Sequence, residues 1–354
     1  MSEPLTPRTN TKLFGHEETE GMLLRDLSAG KLAHGLIFSG ARGIGKATLA
    51  YRFARALLAE RSDMDIPETH PVFRRVAAGS HSDLQVIELL YDSKKDEYAS
   101  DISIEQSRTI AQTLSLTPAE GQWRVVIIDS ADALNTKSAN SILKILEEPP
   151  PQTVLMLIAH NAGQLLPTIR SRCRMVALKP LSKEDFSRAL RHVAPEIYGD
   201  EMVALGIISS NSVGIALELR AQGAIILYNE IVEIMASAKN LDNARLLRFC
   251  EQIGSGKKAH GNWRLFTHIT LCILERVSKK SVAMKVESIS EEEGVALSTL
   301  AVLHSPSIWA AKWQETSEQF LLAQRLHLDY KQVALTFFHS LASEEEFNLG
   351  NIAA

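Results

Sequence analysis

Residues 40–47 read GARGIGKA, and Gly40, Gly45 and Lys46 fall on the fixed positions of the phosphate-binding pattern G-x-x-x-x-G-K-[ST], with Gly43 adding a flexible position. Glycines at this spacing let successive backbone N–H groups turn inward on a polyphosphate. A helix beginning near Lys46 aims its positive dipole end at the same anion, and Lys46 would reach the β- and γ-phosphates. The eighth position, where a Ser or Thr hydroxyl holds Mg2+, is Ala47, which has no oxygen. Thr48 is the nearest hydroxyl and is kept as a candidate, although one residue along a helix is a rotation of about 100°. The expectation is ATP or ADP held through backbone and Lys46 without hydrolysis, with Mg2+ weakly bound or absent.

The second element of that chemistry lies downstream. Residues 125–129, VVIID, form an apolar strand ending in Asp129, suited to the Mg2+ shell at the carboxyl end of a strand. The position that carries a water-polarising Glu in many ATPases of this class is Ser130, a poor base at neutral pH. Asp132 reads as a cap for the following helix. After the apolar run 154–159, His160 and Asn161 are alternative polar sensors at the sheet edge, and the sequence does not choose between them.

These groups need a scaffold, and the flanking patterns supply one. Residues 35–39, 84–88, 124–129, 154–159 and 175–178 read as short, nearly continuous apolar strands. Helical stripes intervene: Ala50, Phe53, Ala54, Leu57 and Leu58, then Ala139, Ile142, Leu143 and Leu146, stopped by Pro149, Pro150 and Pro151. Apolar strands alternating with helices predict a parallel sheet covered on both faces, ending near Pro180. Beyond it the pattern is helical, at 183–190 and 213–219, with a linker at 254–257 and a bundle after it. Ala334, Phe337, Phe338 and Leu341 share one helix face, as do Trp309, Trp313 and Phe320, a core or subunit interface. The domain reading is 1–180 α/β, 181–253 small helical and 254–354 all-helical.

A net charge of −4 confines any nucleic-acid contact to local or shared surfaces. The three cysteines, Cys173, Cys250 and Cys272, form no CxxC pair, so neither a disulfide framework nor a zinc site is expected. No apolar run reaches 18 residues and the first twenty residues lack an apolar signal core, so the expectation is a cytoplasmic protein without a membrane partner.

Four segments, 7–20 (PRTNTKLFGHEETE), 34–60 (HGLIFSGARGIGKATLAYRFARALLAE), 130–153 (SADALNTKSANSILKILEEPPPQT) and 166–174 (LPTIRSRCR), together resemble the delta-prime subunits of the bacterial DNA polymerase III clamp loader, within the AAA+ class. LEEPPPQT and the Ser171-Arg172-Cys173 motif are the most specific. The resemblance covers about residues 7–180, and the remainder fits the family's small helical lid and helical collar by order and length. It implies a fixed member of a pentameric ring, with gamma/tau ATPase subunits and a delta subunit as neighbours, acting with them to open the beta sliding clamp and load it on primed DNA. It further implies that Arg172 is donated to the ATP site of the adjoining subunit, which would make the chain part of a DNA-directed DNA polymerase holoenzyme without ATPase activity of its own. Many relatives carry a four-cysteine zinc module after the phosphate-loop helix; residues 60–80 contain no cysteine, so no zinc is carried over. Gly214 stands where active subunits have a γ-phosphate-sensing arginine. A self-sufficient AAA+ ATPase in replication or repair is the second reading, supported by Gly45, Lys46 and Asp129. A P-loop kinase is disfavoured, because no acceptor-substrate domain is apparent.

Overall fold

The structure, a computed structural model, describes residues 5–92, 97–115, 117–254, 256 and 259–341. It divides into two compact units, Met1–Ile197 with Ser210–Ile215, and Tyr198–Ser209 with Ala216–Ala354.

The first unit is built on a five-stranded parallel sheet. Its strands are β1 (Gly35–Ser39), β2 (Leu84–Ile87), β5 (Arg124–Ile128), β6 (Thr153–Ala159) and β7 (Arg174–Ala177), in the order β2-β5-β6-β1-β7. A short antiparallel pair, β3 (Tyr91–Asp92) and β4 (Glu97–Tyr98), stands apart from it. One strand, β6, thus separates the strand that feeds the phosphate loop from the strand that leads into Asp129. Side chains alternate across the pleat and build two cores. Leu36, Phe38, Val125, Ile127, Val154, Met156 and Ile158 point to one face, where they meet the helix α2 (Lys46–Leu58). Ile37, Val126, Ile128, Leu155, Leu157 and Ala159 point to the other, against α4 (Ile104–Leu114) and α5 (Thr136–Glu147). Burial on both faces is why these strands read as continuous apolar runs rather than alternating ones.

The remaining helices of this unit are α1 (Glu17–Ser28), α3 (Pro71–Ala77), α6 (Pro167–Arg170) and α7 (Lys183–Val193). Helix α3 falls within the cysteine-free 60–80 segment, with Pro71 at its first turn and the His70 side chain accepting from Val72 N–H. Arg55, only 1% exposed, donates from its guanidinium to the carbonyls of Arg8 (3.0 Å) and Asn10 (2.6 Å), which pins the N-terminal segment to α2.

The second unit is helical throughout its described residues: α8 (Gly199–Ile208), most of α9 (Val213–Ala221), α10 (Ala224–Ala236), α11 (Asn243–Gly254), α12 (Ala259–Ser281), α13 (Glu291–Ala301), α14 (Pro306–Leu326) and α15 (Tyr330–Ser340). The linker expected at 254–257 falls partly outside the described residues. Trp263, Phe249, Phe266, Phe320, Phe337 and Phe338 form one buried aromatic cluster. Trp309 and Phe320 are buried as the helical spacing predicts. Trp313 departs from that stripe: it is 39% exposed and its indole N–H donates to the Leu271 carbonyl at 3.2 Å. An indole has an apolar body and one polar edge, so it serves at the rim of a core as readily as inside it. Among the described residues no single helix is long and apolar enough to cross a membrane.

Candidate functional site

The phosphate loop follows β1 at its carboxyl end, and three of its glycines take positive φ: 145° at Gly40, 76° at Gly43 and 107° at Gly45. The backbone therefore curls as the motif requires, and α2 begins at Lys46. Lys46 is 3% exposed, and its ammonium donates to the carbonyls of Gly40 and Ala41, both at 2.6 Å. Those bonds tie the lysine across the mouth of the loop and leave one of its three N–H donors for an anion. Burial lowers the Lys46 pKa to about 8, against the opposing pull of Asp129 and Asp132. Ala47 packs against the apolar core beneath, and Thr48 is buried in the first turn of α2.

Residues 210–215 lie directly against this loop. Ser212 Oγ donates to the Arg42 carbonyl at 2.7 Å, and Gly214 N–H donates to the Gly43 carbonyl at 3.0 Å. The approach is backbone to backbone: a Cβ on Gly214 would fall 2.8 Å from Gly43 Cα. A Cβ on Gly43 would fall 2.4 Å from Ser212 Oγ and 2.9 Å from Gly214 Cα. From the other side His16 Nε2 hydrogen-bonds the Ile44 carbonyl at 2.9 Å. Sequence reading treats Gly214 as a missing arginine and assigns nothing to Ser212; in the fold both contribute a close contact.

Asp129 sits just past β5, its N–H bonded to the Ile87 carbonyl (2.8 Å) and its Oδ1 accepting from Ser130 N–H (2.9 Å). Burial raises its pKa, with the Ser130 N–H and Lys46 pulling the other way. Ser130 itself is left-handed at φ 59°, a conformation that costs a residue with a Cβ about 1–2 kcal/mol. The expected cap at Asp132 is overturned. Asn135 caps α5, its Oδ1 accepting from Ser138 N–H at 2.9 Å. Asp132 instead reaches the end of the neighbouring strand, where its Oδ2 accepts from the N–H groups of His160 (3.1 Å) and Asn161 (2.9 Å). The two sensor candidates separate as well. Asn161 is exposed and turns its side chain onto Gly163 N–H at 3.0 Å. His160 is half-buried, its pKa lowered by burial and then by the nearby charge of Lys46, and its Nδ1 is buried without a hydrogen-bond partner. Lys46, Asp129, Asp132 and His160 therefore converge at the carboxyl ends of β1, β5 and β6.

Arg172 is not among them. It lies between α6 and β7, at the amino end of a strand parallel to β1. The phosphate loop follows the opposite end of the five-residue β1, and at about 3.3 Å per residue the two are separated by roughly a strand length of 16 Å. The Arg172 side chain is 35% exposed; its Nη2 meets Glu147 Oε1 at 2.7 Å and its Nη1 donates to the Thr168 carbonyl at 3.0 Å. Cys173 beside it packs inward, where burial pushes its thiol up to about 11. Among the described residues no group of three or more His, Cys, Asp and Glu side chains is arranged to hold a metal ion.

The chain is similar to several known proteins. Residues 15–182 match the family model described as DNA polymerase III, delta subunit. The DNA polymerase III subunit gamma of Buchnera aphidicola subsp. Schizaphis graminum is 28% identical over 314 residues, 86% of this chain and 80% of that protein. The DNA polymerase III subunit delta' of Pseudomonas aeruginosa is 34% identical over 207 residues, 57% of this chain and 60% of that protein, so the chain spans less than two thirds of its length. Among solved structures, a gamma subunit-related protein of DNA polymerase III from Thermotoga maritima aligns over 90% of this chain and 98% of its own, at 20% identity and a TM-score of 0.42. The matched segment, just under half of the chain, holds the phosphate loop, Asp129, His160 and Arg172, and over it the chain is similar to subunits of DNA polymerase III.

Proposed function

We propose that this chain is a delta-prime-type subunit of the clamp loader, one that holds nucleotide without hydrolysing it and lends Arg172 to the ATP site of an adjoining ATPase subunit. The observation that carries this reading is the separation just described: a partly exposed guanidinium stands at the amino edge of the sheet, roughly a strand length from the chain's own phosphate loop. A guanidinium stays charged and presents a planar fork to phosphate oxygens, which suits stabilisation of a transition state across a subunit boundary. The chain's own site supports the complementary half. Ala47 offers no Mg2+ ligand, Ser130 no base and Gly214 no charge, and single groups of these kinds are commonly worth about 10²–10⁵ in rate. Residues 181–253 would be the lid and 254–354 the collar, with gamma/tau and delta subunits, the beta clamp and primed DNA met through the assembly.

A self-sufficient AAA+ ATPase is the second reading, favoured by the convergence of Lys46, Asp129 and His160. A steady-state assay of the purified chain separates the two. Turnover at an ordinary ATPase rate, abolished by Lys46→Ala, would overturn the proposal. In the reconstituted loader, Arg172→Ala is expected to assemble normally yet lower DNA-stimulated ATP hydrolysis and clamp loading.

A further inference from the structure

The surroundings of Arg172 are built to hold its backbone still. His34 Nε2 hydrogen-bonds the Leu146 carbonyl at 2.9 Å, fixing the last turn of α5 against the entry to β1. Gly35, the first residue of β1, has no side chain, and its neighbours close in on the space: a Cβ there would fall 2.8 Å from Cys173 Sγ, 3.1 Å from Leu146 Cδ2 and 3.4 Å from the Arg172 carbonyl. Residues 146 and 172–173 are thus packed around one point. Glu147 and Arg172 project from either side of it and meet at 2.7 Å. The Thr168 carbonyl (3.0 Å) and Ser171 Oγ (3.3 Å) engage Nη1, while Glu147 engages Nη2.

We infer that Glu147 is a positioning residue for Arg172, holding one nitrogen of the guanidinium while the Thr168 carbonyl holds the other, so that the head group meets a neighbour's phosphate already oriented. The inference rests on the reading of Arg172 as a group donated in trans. A long, flexible side chain loses rotamer freedom when it engages a phosphate, and anchoring two of its nitrogens beforehand reduces that loss. The anchor is also weak enough to yield. Glu147 is 49% exposed, and exposed pairs of this kind are worth little, so the carboxylate can give way to a more highly charged phosphate without trapping the arginine. A carbonyl oxygen in place of the carboxylate would preserve the hydrogen bond and discard the charge, which separates orientation from electrostatics.

The test uses the reconstituted clamp loader with Arg172→Ala, Glu147→Ala, Glu147→Gln and the double variant Glu147→Ala/Arg172→Ala, each first checked for unchanged assembly and thermal midpoint. The readouts are kcat and KM for DNA-stimulated ATP hydrolysis. Glu147→Ala is expected to lower kcat by about two- to five-fold with KM for ATP unchanged, the size of an exposed ion-pair contribution. Glu147→Gln is expected to stay within about two-fold of the parent, because the amide oxygen still accepts the Nη2 hydrogen bond. The double variant is expected to match Arg172→Ala alone, since the glutamate acts only through the arginine. If Arg172→Ala impairs the loader but Glu147→Ala leaves it unchanged, or if the two losses multiply in the double variant, the positioning role is overturned while the donated arginine stands. If Arg172→Ala itself has no effect, both fall.

Discussion

Gly43 and Gly214 touch through their backbones, joined by one hydrogen bond of 3.0 Å and with no space for a side chain on either. The contact gives Gly214 a structural reason to be glycine that is independent of any nucleotide-sensing role expected at that position. Gly214→Ala is expected to destabilise the chain by about 1–3 kcal/mol, the range for forced overpacking, as read from the midpoint of urea unfolding. Gly214→Arg should be at least as disruptive and should not create ATPase turnover. Wild-type stability of Gly214→Ala would show that the segment 210–215 yields freely.

The Lys46 ammonium gives nucleotide binding a pH dependence. With its pKa lowered to about 8, the free chain loses the charged form as pH rises through 8, and that form is the one a phosphate needs. Affinity for a fluorescent ADP analogue is expected to be flat below pH 7.5 or so and to fall toward about tenfold per unit at higher pH. The chain should also take up a proton on binding near pH 8.5. Equal affinity at pH 7 and pH 9.5 would contradict a phosphate-contacting Lys46.

In the helical unit, Glu293 is the hub of a buried polar cluster. Its Oε1 accepts from Tyr228 OH (2.5 Å) and Arg276 Nη2 (2.6 Å), and its Oε2 accepts from Ile289 N–H (2.7 Å). Glu293→Ala leaves a buried guanidinium without its carboxylate and is expected to cost about 3–5 kcal/mol. Tyr228→Phe removes one hydrogen bond to a charged acceptor and should cost about 1.5–3 kcal/mol. Denaturant unfolding of the two variants checks both size and order; a larger loss for Tyr228→Phe would be inconsistent with this account.

The cysteines are expected to be inert. Burial pushes Cys173 and Cys272 up to about 11 and Cys250 up to about 12, so little thiolate exists at pH 8. Labelling of the native chain by a thiol-disulfide reagent at that pH should run at least about 100-fold slower than that of an unstructured cysteine, and denaturant should release all three together. Fast labelling of one site in the folded chain would reveal local opening there.

Features whose partners are close in sequence were legible in it. The phosphate loop is eight consecutive residues, and the strands announced themselves through apolar runs that the two-faced burial explains. Asp132 and Asn135 show where that ends: both are residue types that cap helices, and what distinguishes them is a pair of N–H groups on a different strand. The different settings of His160, half-buried, and Asn161, exposed, were equally illegible, because they depend on how the chain turns at the end of β6. Glu147 stood within the LEEPPPQT segment without a role, because its partner, Arg172, lies 25 residues further along the chain, between α6 and β7. The β3–β4 pair went unread because two-residue strands carry no usable periodicity.

The Asp132 anchor has one more consequence. It fastens the turn after β5 to the end of β6 through two hydrogen bonds, while Lys46 is fastened to Gly40 and Ala41 and the loop to Ser212 and Gly214. Each segment around the phosphate loop is thus tied to another part of the fold. An anion bound there would order little further polypeptide, so it would change the charge of the site far more than its shape.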